Sequence, residues 1–124
     1  MDPLGLRGCS PKNIKLTKDG VKHVKERHVG NKLGWEHKSK WTMSNGEWKS
    51  TVRSVFRNPD RIIKDGERFI YEKTIKNKKI GITPEGVELN KVRVVVESNG
   101  DLVTEFPQEI FREIKPNDSV VFLN

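Results

Sequence analysis

The chain has 124 residues, of which 33% are apolar and 33% charged, with a formal charge of +7. Those figures allow one modest core and exclude two independent ones, and no apolar run nears the roughly 18 residues of a membrane span. A single cysteine, Cys9, excludes an internal disulfide and a cysteine-built zinc site. No opening segment reads as a signal peptide, so a soluble domain is expected. The charge is unevenly spread. Residues 12–40 hold nine Lys/Arg against three acids, residues 49–80 ten against four, and residues 84–113 three against seven. A basic first two-thirds beside a mildly acidic end points to a polyanion-binding side.

Residues 1–13 carry prolines and glycines without periodicity and read as a linker, leaving 14–124 as the folded domain. Thr17 is placed to cap a helix from Lys18 to about His28, with Val21 and Val24 inward and Gly20 as a weak point. Residues 29–43 lack a pattern and read as an ordered functional loop. Ser44-Asn45-Gly46-Glu47 has capping-box spacing, and Trp48, Val52, Val55 and Phe56 follow at helical spacing until Asn58-Pro59. Beyond Pro59 the period changes to two. An alternating stretch over 67–75 precedes a basic turn at Lys76–Lys79, and Ile80–Ile82 continues as its partner strand. Pro84-Glu85-Gly86 makes a further turn. Val92–Val96 predicts a central strand, Asn99-Gly100 a hairpin into Leu102–Phe106, and Val120–Leu123 a last strand. The expected class is α+β, with N-terminal helices packed on a C-terminal twisted antiparallel sheet.

The residues able to carry chemistry gather near the first helix. His23 and His28 are five positions apart, which on a continuous helix separates them by about 140°. They converge only if the helix ends near Arg27 and His28 turns back. The bland reading is two surface histidines. The functional one is an acid/base pair that splits RNA through its own 2′-hydroxyl, because imidazole titrates near neutrality. A cation or hydroxyl would stabilise the charge developing on phosphorus, and Lys38, Ser39, Lys40 and Thr104 are available donors.

In order, the chain shows His-x4-His, a glycine-containing loop, Lys-Ser-x-aromatic, a capped helix ending in Asn-Pro-Asp, Val-Arg-Val-Val-Val and Val-Thr-Glu-Phe-Pro. Across residues 20–107 that order resembles the bacterial EndoU nucleases, a family within a wider group of toxin ribonucleases sharing a barnase-like and colicin-like fold. The resemblance implies His23 and His28 as the acid/base pair, Lys38 as the third catalytic residue, and Thr104 and Phe106 at the phosphate and base. Lys40, Ser39 and Arg27 would help to bind substrate. Two positions depart from the family. Phe106 stands where an aromatic hydroxyl is common, and Trp41-Thr42 replaces a more usual Phe-Pro, which leaves Lys40 or Lys32 as alternative working lysines. Asp2-Pro3-Leu4-Gly5-Leu6 resembles the junction that precedes the toxin domain in Rhs and other YD-repeat polymorphic toxins.

These resemblances imply a monomeric, metal-independent and cofactor-free endoribonuclease toxin, delivered from its producing bacterium into the cytoplasm of a competitor. RNA, with tRNA as one possibility, would be its substrate, and an acidic immunity protein its partner. A non-catalytic nucleic-acid-binding module and a metal-dependent DNase are the competing expectations.

Overall fold

The structure, a computed structural model, describes residues 10–30, 33–76 and 78–124. The junction-like Asp2–Leu6 motif and Lys32 lie outside the described residues. In chain order the elements are α1 (Lys18–His28), β1 (Lys40–Trp41), α2 (Asn45–Arg57), β2 (Arg61–Asp65), β3 (Arg68–Thr74), β4 (Gly81–Ile82), β5 (Glu88–Leu89), β6 (Lys91–Glu97), β7 (Leu102–Gln108) and β8 (Ser119–Leu123). Five strands form one antiparallel sheet in the order β7-β6-β3-β2-β8, and β1-β4-β5 form a smaller one. The class is α+β, with both helices preceding the main sheet. Among the described residues no helix is long and apolar enough to cross a membrane.

Both helices start where their caps place them. The Thr17 side chain accepts from Gly20 N, and Ser44 and Glu47 complete a reciprocal capping box. On α2, Trp48, Val52, Val55 and Phe56 are buried, each stabilising the fold by about 1.5–3 kcal/mol. On α1 the buried line is Gly20, Val24 and His28, with Val21 only half-buried against the core. Gly20 is a requirement rather than a weakness, because a Cβ there would stand 2.3 Å from the Leu102 carbonyl oxygen. Its absence lets α1 lie directly against β7.

Two strand expectations need correction. Arg61–Asp65 is a full sheet strand, joined to β3 by the turn Gly66-Glu67, with Gly66 at φ 61°. The run hides its period because Ile62 and Ile63 are both buried, on opposite faces. The segment Ile80–Ile82 does not pair with the 67–75 strand. Its Gly81 and Ile82 pair with β1 and β5 instead, and β3 lies between β2 and β6.

Register sorts the sheet into two faces. Ile62, Tyr71, Val94 and Glu105 form one row across β2-β3-β6-β7 on the face that holds the main core. Arg61, Glu72, Arg93 and Phe106 form the adjacent row on the opposite face. The first row ends in a buried acid. Glu105 is fully buried, and Trp41 Nε1 donates to its Oε1 at 2.7 Å while Oε2 has no partner among the described residues. Burial pushes its carboxyl well above the usual range, against the smaller opposing effect of the Trp41 bond.

Folding therefore favours the protonated form of Glu105, and this contribution is lost as pH rises above the ordinary carboxylate range. Glu105→Gln keeps the acceptor for Trp41 and removes the titration. The variant is expected to melt several degrees above the parent at pH 8, with the difference shrinking towards pH 4.5. A difference independent of pH would contradict a neutral Glu105.

Candidate functional site

Where α1 meets β7, the helix, the following loop and the strand bring His28, Ser39 and Phe106 together. Helix α1 does not end before His28 but includes it, so the two imidazoles leave the helix on different sides. His28 faces inward on the Gly20–Val24 line and is 5% exposed. Its Nδ1 donates to the Ser39 carbonyl at 2.9 Å, which leaves Nε2 as the acceptor nitrogen. Its ring stacks on Phe106, with centroids 5.0 Å apart and planes inclined by 22°. Burial pushes the His28 imidazole down to about 4, outweighing the Ser39 bond that raises it, and Lys38, Lys40 and His23 add to the lowering.

His23 is half-buried on the outer side of α1. Arg27 Nη1 donates to its Nε2 at 3.0 Å, so the proton of the neutral ring sits on Nδ1. Desolvation lowers its pKa most, followed by the Arg27 charge, with Glu26 opposing and Lys38 adding. The Arg27 guanidinium in turn lies over the Trp35 ring, 4.4 Å from its centroid. Both imidazoles are thus neutral at pH 7, and each lies within electrostatic reach of Lys38.

The loop residues divide by the jobs their polar atoms already have. Lys40 Nζ donates to the carbonyls of Arg27 and Trp35, at 2.6 and 2.7 Å. It ties the end of α1 to the loop, and its ammonium is committed to that task. Ser39 Oγ donates to the Pro107 carbonyl at 2.7 Å, while its own carbonyl holds His28. Lys40 and Ser39 thus brace the loop against α1 and β7. The Lys38 ammonium has no hydrogen-bond or ion-pair partner among the described residues, which leaves it available. Thr104 Oγ1 is buried on β7 without a partner among the described residues.

Three side chains that the sequence reading passed over complete the open face. Glu72 is fully buried. Its Oε1 accepts from Arg61 Nε (3.1 Å) and Nη2 (2.5 Å), and its Oε2 from Gln108 Nε2 (2.8 Å) and the Arg112 backbone N (2.7 Å). Arg61 also donates to the Arg112 carbonyl, so the segment after β7 folds back over this face. Arg93, opposite Glu72 on one side and Phe106 on the other, places its guanidinium carbon 5.2 Å from the Phe106 centroid. One signal for it lay in plain view. Val-Arg-Val-Val-Val puts a charge at the odd position of an otherwise apolar strand, opposite the buried face.

The electropositive depression on the other side of α1 is separate. It measures about 610 Å³, and Lys18, Lys22, Lys25 and Lys49 rim a floor of Leu16 and Val21. No imidazole lines it, so the site of interest is the Phe106 neighbourhood.

Because burial holds His28 neutral, the unfolded chain binds this proton more tightly than the fold does. Stability is full above about pH 6.5 and falls as pH drops towards about 4, by about 3 kcal/mol for this one group. Thermal unfolding between pH 7 and pH 4 should show that loss, and His28→Gln should flatten it. Identical pH profiles for the parent and the variant would contradict a buried neutral imidazole.

No protein-family model, no curated protein and no solved structure matches the chain. A functional reading therefore rests on this geometry and on the resemblance of the motifs.

Proposed function

We propose that the protein is an endoribonuclease toxin of the EndoU-like kind, within the barnase-like and colicin-like group, cutting RNA by transesterification to a 2′,3′-cyclic phosphate. One observation carries the reading. A neutral imidazole, His28, is fixed in a single tautomer by a backbone carbonyl and stacked on Phe106, with a second imidazole and an uncommitted lysine within electrostatic reach. His28 is the base that takes the 2′-hydroxyl proton. His23 is the acid for the departing 5′-oxygen, and it gains its proton when a bound phosphate offsets Arg27. Lys38 and Thr104 stabilise the charge developing on phosphorus, and Arg27 supports His23. Phe106 offers a ring face for a base.

The nucleophile belongs to the substrate, so this chemistry asks neither a metal nor a cofactor of the protein. RNA, tRNA included, is the proposed substrate, and an acidic immunity protein covering the basic surface is the proposed partner. Delivery from the producing bacterium into a competitor's cytoplasm follows from the junction-like motif.

The deep burial of His28 favours a second reading, in which that imidazole is purely structural and the domain only binds nucleic acid. One experiment separates the two. Purified protein is incubated with RNA, and with the same RNA carrying one deoxyribose 5′ to the cut position. Cleavage should leave 2′,3′-cyclic phosphate and 5′-hydroxyl ends, spare the deoxy position and persist in EDTA. His23→Ala and His28→Ala should each lose about 10²–10⁴-fold of the rate, with thermal unfolding confirming that each variant is folded. Intact RNA would favour the binding module. Ends bearing 5′-phosphate, or cutting at the deoxy position, would overturn the roles of His23 and His28.

A further inference from the structure

The open face of the sheet holds three arginines, and their charges are not equally answered. Arg112 donates to both carboxylate oxygens of Asp118 and to Asp65. Arg61 takes Oε1 of Glu72 with two of its nitrogens and reaches the Arg112 carbonyl with one of them. Glu72 is then full, because an ionised carboxylate offers about four acceptor sites and four hydrogen bonds already occupy them.

Arg93 is left over. Its Nε makes a long charge contact with Glu72 Oε2, 3.4 Å away, and its two Nη nitrogens have no hydrogen-bond partner among the described residues. Its side chain is only 21% exposed. A largely desolvated guanidinium whose Nη N–H groups stay idle is costly unless a second anion answers them. Nearby polar atoms are idle too. Gln108, 6% exposed, has an unpartnered Oε1, and Thr104 on the same strand has an unpartnered Oγ1. Phe106 lies against both the Arg93 guanidinium and the His28 imidazole, so whatever anion Arg93 holds sits one aromatic ring away from His28.

We propose that Arg93 is an anion-binding group of this face and that it takes a backbone phosphate of the bound nucleic acid through its free guanidinium fork. A planar guanidinium matches two phosphate oxygens at once, which a lysine cannot do. Glu72 acts here as a positioning residue. It holds Arg93 in place by charge while spending every hydrogen bond on other donors, so the fork stays open. The proposal rests on the RNA reading only for the identity of the anion.

The test uses a short all-deoxy oligonucleotide, which binds through phosphates and has no 2′-hydroxyl to attack. Fluorescence anisotropy compares the parent protein, Arg93→Met, Arg93→Gln and a control, Arg68→Met, which removes an equal charge from an exposed pair with Glu97. Arg93→Met and Arg93→Gln should each bind about 10–100-fold more weakly at fixed salt. Each should also reduce the slope of log affinity against log salt by about 0.7, the share of one single-strand phosphate contact. Arg68→Met should change little. Thermal unfolding should show both Arg93 variants folded at the assay temperature, with at most a small loss from the long Glu72 contact, because Arg61, Gln108 and the Arg112 amide still answer that carboxylate.

Equal affinity and slope in the parent and both Arg93 variants would overturn the site, and so would no binding by the parent. Equal losses in Arg68→Met and Arg93→Met would mean generic charge attraction and also overturn it. A large fall in melting temperature in both Arg93 variants would make the guanidinium a structural counter-ion and overturn it as well. Because the oligonucleotide cannot be cut, these results stand whether or not the protein cleaves RNA.

Discussion

A fully buried carboxylate in the middle of a five-stranded sheet has to be answered by cations and donors, or the fold loses several kcal/mol. Glu72 is that carboxylate, and its answer organises one whole face of the protein. Arg61 comes from β2, Gln108 from the end of β7 and the Arg112 amide from the segment that follows. Satisfying one residue thus ties β2 and the end of β7 to β3 and draws the C-terminal segment back across the sheet. It also leaves Arg93, one strand further on, with only a long contact to Glu72 through Nε and with its Nη nitrogens unpartnered among the described residues.

The other half of the site is held by backbone rather than by charge. Gly20 lets α1 approach β7 without an intervening side chain, which delivers His28 to Phe106. The 29–43 loop is then pinned from several sides. Lys40 grips the carbonyls of Arg27 and Trp35, Ser39 bonds to Pro107, and Trp41 reaches through to Glu105. Apart from the Trp35 bond, which lies within the loop, these contacts join it to α1 or β7, so the His28 tautomer is set by groups that the fold itself immobilises. Lys38 is the residue of this loop whose charge stays uncommitted among the described residues. Rigid neighbours around a cation left free among the described residues are what preorganised charge stabilisation requires.

What the sequence made legible follows the range of the interactions involved. The capping box at Ser44–Glu47 and the apolar spacing of α2 are local, and they located that helix within a residue. The α+β class was legible from the same change of period near Pro59. Strand β2 escaped because Ile62 and Ile63 are adjacent and buried on opposite faces, which erases alternation, and the Asp65-Gly66 turn signal beside them was passed over. Pairing of Ile80–Ile82 went astray because nearness in sequence suggested β3, whereas its partners are Trp41 and Leu89. At the site, residue types were readable and their duties were not. Nothing local distinguishes Lys38 from Lys40, since the difference lies in two carbonyls supplied by Arg27 and Trp35. Glu72, Arg93 and Gln108 become a cluster only once the register of β3, β6 and β7 is known.

The organising role of Glu72 can be measured directly by a double-mutant cycle on thermal and denaturant unfolding, with Glu72→Gln, Arg61→Gln and the pair. If the carboxylate is the constraint on which the face depends, either single change leaves a buried group unanswered. Each should then cost about 3–5 kcal/mol, with the double variant costing far less than the sum. Additive losses of less than about 1 kcal/mol each would contradict the account, because they would show that the face holds together without its central ion pair.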